Sequence, residues 1–188
     1  MGTTTENKTA LVWEGELGRI KTMSYRALHV EVNKMASVLK DQMDLKRGDR
    51  VTLYMPMIPD LLIAVLACAR LGAIHSVVFA GFSAKSLKER INDSQSTLLI
   101  TADGGYRKGQ ILNLKDIADE AVENTTIQKM LYVRHIGDTL PINTQENRDF
   151  NYHDLVKQAN NYVEPEAMNS EDPLFILYTS GTTGKPKG

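Results

Sequence analysis

The residues richest in chemistry form one run, Thr179-Ser180-Gly181-Thr182-Thr183-Gly184-Lys185-Pro186-Lys187-Gly188. Its glycines let the backbone turn tightly and aim N–H groups at an anion. Thr179, Ser180, Thr182 and Thr183 add hydroxyl donors, and Lys185 and Lys187 add positive charge. Placed directly after the apolar run Leu174–Tyr178, the stretch reads as a phosphate cradle carried on the end of a buried strand. It is not a Walker A loop. That motif needs Ser or Thr after Gly-Lys and a helix opening there, whereas Lys185 is followed by Pro186. Kinase-like and GTPase-like chemistry is therefore disfavoured. A flexible Gly/Ser/Thr tail is the plain alternative, but such a tail does not normally carry hydroxyls, glycines and lysines in this order.

Two other segments could touch a ligand. Asp103-Gly104-Gly105-Tyr106-Arg107-Lys108-Gly109-Gln110 reads as a Gly-rich loop after a strand, with two adjacent cations. Such a loop could hold a phosphate through charge-assisted hydrogen bonds, for which Arg is well suited. From the residues alone, a solvated basic turn is the simpler account. Phe79-Ala80-Gly81-Phe82-Ser83 is a strand-end turn whose glycine permits close approach. An ordinary strand-to-helix turn with Phe79 and Phe82 in the core explains it equally well, and the two readings are compatible. Cys68 lies in the apolar run LLIAVLACARLGA with no activating base beside it, so it reads as core rather than as a nucleophile. His29, His75, His135 and His153 show no metal-ligand spacing. Trp13 reads as a packing residue.

The elements that must position these residues follow from periodicity. Strands are predicted at Thr9–Trp13, Arg19–Met23, Arg50–Tyr54, His75–Phe79, Leu98–Thr101, Met130–Val133 and Leu174–Tyr178. Ser24 is a good N-cap, and Tyr25, Leu28, Val32, Met35, Leu39 and Met43 repeat along one helical face. A second helix, apolar nearly all round, is predicted from Asp60 to Leu71 and ends at Gly72. Ser83 caps a third at Ala84–Asn92, with Leu87 and Ile91 inward. Further helices are predicted at Leu112–Glu123 and near Tyr152–Asn160, within an otherwise weakly patterned stretch, 135–170. Strand, helix, strand, helix with short connections predicts an α/β fold, a mostly parallel sheet flanked by helices. Ligands of such sheets bind at the carboxyl ends of the strands.

The bulk properties exclude several classes. The 188 residues suffice for one domain with a substantial core. With 22 basic and 23 acidic side chains, no global field draws in nucleic acid or an acidic membrane, so phosphorylated ligands need a local site. The start, MGTTTENKTA, is no secretory signal. The longest apolar stretch, Leu61 to Ala69, falls short of the ~20 residues that span a bilayer. One cysteine allows no intramolecular disulfide, which fits a reducing compartment. A soluble, cytoplasmic protein acting on small molecules is expected, without nucleic-acid or membrane partners.

At YTSGTTGKPKG the sequence resembles the signature loop of the adenylate-forming superfamily, which includes acyl-CoA synthetases, luciferases and peptide-synthetase adenylation domains. The stretch YMPMIPDLLIAVLACARLGAIHSVVFAGFSAKSLKERIND, and later EDPLFILYTSGTTGKPKG, are similar to AMP-forming acetyl-CoA synthetases. Only the first several residues and parts of 135–165 lack a counterpart. The resemblance implies a partial N-terminal AMP-binding domain over 1–188 that stops at the phosphate loop, without the C-terminal domain. It implies acetate–CoA ligase chemistry, with acetate, ATP and CoA as substrates and Mg²⁺ bridging the phosphates. Thr179, Ser180, Gly181, Thr182, Thr183, Gly184, Lys185 and Lys187 would hold the β- and γ-phosphates of ATP. Phe79, Ala80 and Gly81 would lie along the nucleotide part of CoA, and Arg107, Lys108, Gly109 and Gln110 would contact its phosphates. Gln110 departs from the Arg or Lys frequent there, and an uncharged donor should weaken CoA binding modestly. The catalytic residues, the adenine site and the acyl pocket would lie downstream of Gly188, so this chain alone is expected to be inactive or nearly so. A propionyl-CoA or other short-chain synthetase, and a non-catalytic module binding phosphate or CoA, remain alternatives.

Overall fold

The computed structural model describes residues 4–179 and Gly188. It opens with an antiparallel hairpin, β1 (Thr9–Glu14) and β2 (Ile20–Ser24). The Ser24 hydroxyl then accepts from Ala27 N at 3.2 Å and starts α1 (Tyr25–Ser37). The helix runs on through a wide turn at Val38–Gln42, where Met43 N reaches back to Val38 O. Next come β3 (Arg50–Met55), α2 (Pro59–Arg70), β4 (Ile74–Phe79), α3 (Ala84–Ser94) and β5 (Leu98–Ala102). A second hairpin, β6 (Gly104–Arg107) and β7 (Gln110–Asn113), leads into α4 (Leu114–Val122). The order closes with β8 (Lys129–Val133), β9 (Asp149–Asn151) and the short α5 (Tyr152–Leu155).

Five strands form one parallel sheet in the order β4-β3-β5-β8-β9. Successive side chains of a strand point to opposite faces, and both faces here are covered. Val51, Leu53 and Met55 of β3, Leu98 and Ile100 of β5, and Leu131 and Val133 of β8 pack with residues of α1 and α2. Tyr54, Leu99 and Met130 point the other way, into Leu87 and Ile91 of α3 and Leu114, Ala118 and Ala121 of α4. This explains why β3, β5 and β8 read as unbroken apolar runs rather than as alternating ones. Cys68 sits fully buried in the first layer, where burial pushes its thiol pKa up to about 12, so it is a core residue.

Polar groups lock the far end of the sheet. Lys115 is completely buried, and its Nζ donates to both carboxylate oxygens of Asp119 (2.7 and 2.8 Å), to Asp149 Oδ2 (2.9 Å) and to Asn143 O (3.1 Å). Arg148 pairs with the same two aspartates. The network ties α4 to the segment before β9.

Several expectations change. Leu174–Tyr178 is not a buried strand: Leu174, Phe175 and Leu177 are more than half exposed, and among the described residues Phe175 bridges to His75 along the outer edge of β4. Asp103–Gly105 is not a free loop but the start of the β6–β7 hairpin. Asn113 accepts from Asp116 N at 3.1 Å, so α4 begins at Leu114 rather than at Leu112. The helix expected near Tyr152–Asn160 shrinks to α5 and a 3₁₀ turn, Val156–Gln158. The strand β9 emerges from a stretch without a strand pattern. The α2 helix is not buried all round, since Leu66 is partly exposed.

Removing the ammonium from the buried network by Lys115→Met leaves two carboxylates facing one guanidinium. It should lower the unfolding free energy by about 3–5 kcal/mol, read from urea denaturation. Burial alone would raise the Asp149 pKa, but its bonds from Arg148, Gln145 N and Lys115 outweigh that and hold it below the ordinary aspartate value. A depressed folded-state pKa gives stability that is complete above the unfolded value, roughly 3.9, and lost as pH falls through the folded one. The urea midpoint should therefore drop below about pH 4, and Asp149→Asn should flatten that drop.

Candidate functional site

β3, β4, β5 and β8 are parallel, so their carboxyl ends share one edge of the sheet. There the turns after Met55, Phe79, Ala102 and Val133 gather, and each is pinned by a specific bond. Tyr54, fully buried in β3, directs its hydroxyl at Ala80 O (3.1 Å) and Phe82 O (2.7 Å). Burial, partly offset by Arg107, raises its pKa to about 12, so the phenol stays a donor at neutral pH. Ser83 then accepts from Ser86 N at 3.4 Å and starts α3. The turn so held presents two rings. Phe79 is 55% exposed and Phe82 38% exposed, so neither is a core residue, and they meet edge to face at 5.7 Å.

Arg107 reaches the same turn from β6. Its guanidinium lies over the Phe79 ring, 5.5 Å from the centroid. A carbon added to Gly81 would collide with Phe79 Cε1 and Arg107 Nη1, so the glycine is what admits this approach. At the hairpin tip Lys108 and Gly109 both have positive φ, 52° and 75°, as a two-residue turn between twisted strands requires. The carboxylate of Glu16, in the turn after β1, accepts from Lys108 N (3.1 Å) and Gly109 N (3.2 Å). Gln110 opens β7 opposite Arg107.

Two depressions flank Arg107 and Gly81. One is a cleft of about 350 Å³ between the β1–β2 turn and the ends of β3, β4 and β6. Trp13, Phe79, Tyr106 and His135 supply rings to it, and Glu14, Glu16, Arg19 and Arg107 supply charge. Trp13 Nε1 donates to Met57 O at 2.6 Å, and the Trp13 and Tyr106 rings both meet His135 edge on. Burial lowers the His135 pKa against the pull of Asp103, leaving a neutral imidazole at pH 7. The other is a groove of about 390 Å³ lined by Gly81, Phe82, Lys108, Gln110 and Ile111 among others.

Of the phosphate-loop residues, Thr179 and Gly188 are described, and Ser180, Gly181, Thr182, Thr183, Gly184, Lys185 and Lys187 lie outside the described residues. The ends of the stretch come together. A carbon added to Gly188 would meet Tyr178 Cε1 at 2.8 Å and Ile176 Cγ2 at 2.9 Å. The Tyr178 hydroxyl donates to Asp93 Oδ2 at 2.7 Å, which ties the start of the run to α3.

A parallel sheet with its carboxyl edge so arranged agrees with a match to known proteins. The AMP-binding enzyme family matches residues 2–188. The chain belongs to that family. It is 52% identical over 186 residues to the acetyl-coenzyme A synthetase of Helicobacter pylori (strain P12), covering 97% of this chain. It is 54% identical over 187 residues to that of Gemmatimonas aurantiaca and 48% identical over 188 residues to that of Wolinella succinogenes. The chain spans about 28% of the length of these relatives. Within this chain, Phe79, Ala80, Gly81 and Arg107 line one cleft, and Gly81, Arg107, Lys108 and Gln110 line the neighbouring groove. Gly109 occupies the hairpin tip between its neighbours. Sequence reasoning missed Tyr54, Glu16, Tyr106 and His135, whose roles depend on contacts far along the chain.

Tyr54→Phe keeps the ring and leaves two turn carbonyls without their donor. It should cost about 1–3 kcal/mol, read from thermal or urea unfolding. Faster hydrogen exchange confined to residues 80–86 would locate the effect.

Proposed function

We propose that this chain supplies the phosphate-loop and CoA-facing part of an acetate–CoA ligase. Its roughly 50% identity to acetyl-coenzyme A synthetases supports the reading. The single structural observation behind it is the gathering of Phe79, Gly81 and Arg107 at the carboxyl edge of the sheet. In the first half-reaction a carboxylate oxygen of acetate attacks the α-phosphorus of ATP. The bond to the bridging oxygen breaks, giving acetyl-adenylate and pyrophosphate. In the second, the CoA sulfur attacks the acyl carbonyl, the thiol proton is lost, and AMP leaves with its phosphate oxygen. Both steps depend on placement and charge stabilisation more than on a protein nucleophile.

In this reading Thr179, Ser180, Thr182 and Thr183 donate hydroxyls to the β- and γ-phosphates. Gly181 and Gly184 bring backbone amides close, and Lys185 and Lys187 balance the charge that develops on pyrophosphate. Phe79, Ala80 and Gly81 run beside the CoA nucleotide, and Arg107, Lys108, Gly109 and Gln110 face its phosphates. Gln110 contributes a hydrogen bond without charge. Catalytic residues are assigned to none of the 188 positions. Among the described residues, no group of three or more His, Cys, Asp or Glu side chains could hold a metal ion. The proposal assigns no protein ligand to the Mg²⁺ implied by the resemblance. Among the described residues no helix is long and apolar enough to cross a membrane. A cytoplasmic setting with small-molecule substrates only is part of the reading, supported by the single buried thiol of Cys68.

Calorimetric titration of CoA tests the second site. Arg107→Ala removes a charge-assisted donor and should weaken binding about tenfold, and Gly81→Ala should weaken it by displacing Arg107 and Phe79. The loop is tested by acetate-dependent ATP–pyrophosphate exchange in an active enzyme carrying this sequence. Lys187→Ala and Gly184→Val should each slow exchange about 10²-fold, as for loss of a preorganised charge-stabilising donor. Unchanged exchange in both variants, or unchanged CoA binding in Arg107→Ala, would contradict the roles assigned.

A further inference from the structure

The two candidate ligand regions are far apart in sequence, yet one side chain touches the flank of each. Arg90 stands on α3, and its Nη1 donates to Ser86 O at 2.8 Å, which fixes the guanidinium against its own helix. From there it lies over the Phe82 ring, 4.5 Å from the centroid, and over the Tyr178 ring, 5.6 Å away. Phe82 meets Phe79 edge on, and Phe79 carries the Arg107 guanidinium on its face. On the other side, Tyr178 immediately precedes the hydroxyl-rich run and also abuts Gly188 at its far end. The Tyr178 hydroxyl is anchored to the same helix through Asp93 Oδ2 at 2.7 Å and comes within 3.4 Å of Arg90 O.

We infer that Arg90 is a positioning residue that brackets Phe82 and Tyr178, and so holds the residue that leads into the hydroxyl-rich run and the CoA-facing turn in one fixed relation. The inference rests on the roles proposed for those two regions. A guanidinium suits the task because it is planar, always charged and weakly hydrated, and it can lie over two rings while still donating to a carbonyl. Among the described residues the guanidinium meets the two regions at the rings of Phe82 and Tyr178, so its effect is exerted through them. If both regions are set by one bracket, loosening it must weaken both, and a ligand that tightens one region must tighten the other to the same degree.

The test compares Arg90→Met, which keeps a long stem without charge, with Arg90→Lys, which restores the charge, and with the unaltered 188-residue chain. Hydrogen exchange read by mass spectrometry needs no ligand. Amides of 176–179 and of 80–83 should both exchange about fivefold faster in Arg90→Met, the low end of site-to-site coupling, and partly recover in Arg90→Lys. In titrations with pyrophosphate and with CoA, both dissociation constants should rise about fivefold in Arg90→Met. Faster exchange or weaker binding in one region alone would overturn the bracket, as would no change in either. An unaltered chain that binds neither ligand would remove the functional reading, and the exchange experiment would then still decide the bracket by itself.

Discussion

The carboxyl edge of the sheet hangs from one buried carboxylate. Asp103 has no exposed surface, and it accepts from Gly104 N at 2.7 Å, His135 N at 2.8 Å, Ile136 N at 3.0 Å and Gly137 N at 2.9 Å. A carboxylate taken out of water is tolerated only when its lone pairs are filled, and four backbone donors fill them here. Its own carbonyl accepts from Leu114 N and Lys115 N, both at 3.2 Å. One residue therefore fixes the end of β5, the turn after β8 and the first turn of α4. The β6–β7 hairpin is strung between two of these fixed points, so Arg107 has no freedom of origin. Its direction toward Phe79 is set before any ligand arrives.

The same logic separates what a sequence displays from what it conceals. β3, β5 and β8 are legible because a strand covered on both faces must be largely apolar, and Val51–Met55, Leu98–Ala102 and Met130–Val133 are, apart from Thr52 and Thr101, whose buried hydroxyls bond to Ser96 and to Tyr54 O. Leu174–Tyr178 has the same composition but a different environment. It lies against the outer edge of β4, with Tyr178 reaching α3, and Leu174, Phe175 and Leu177 stay more than half exposed. Periodicity reports a side chain's chemistry and not the neighbours that bury it. The hairpin tip is a similar case. Its turn needs two residues with positive φ, and Lys108 is not a residue that announces one. Only the fold, through Glu16, stabilises that backbone.

Site residues divide along the same line. Gly81 and Arg107 stand in local patterns, a strand-end glycine and a cation after a Gly pair, and the structure sets them in contact. Tyr54 holds the Phe79–Ser83 turn from 26 and 28 residues away, and Glu16 holds the hairpin tip from 92 and 93 residues away. Nothing in the immediate sequence of either residue signals such a partner. Asp103 was legible only as the head of a Gly-rich run, whereas its function is structural and three of the four amides on its carboxylate come from beyond β8.

Glu16 also settles how the hairpin can meet an anion. With a net charge of −1 the chain offers no general attraction, so binding must come from local donors. Two adjacent amides at a turn are a natural anion seat, but those of Lys108 and Gly109 already hold the Glu16 carboxylate. A phosphate brought to that seat would face both occupied donors and a like charge. The guanidinium of Arg107 lies over Phe79 beside Gly81, and the residue lines both the cleft and the groove. The hairpin thus divides its labour: the backbone of its tip binds an internal anion that fixes its position, and the side chain of Arg107 stays directed at the space where an external one would lie. On this geometry the CoA-facing role proposed for the hairpin falls on Arg107 far more than on the amide of Gly109.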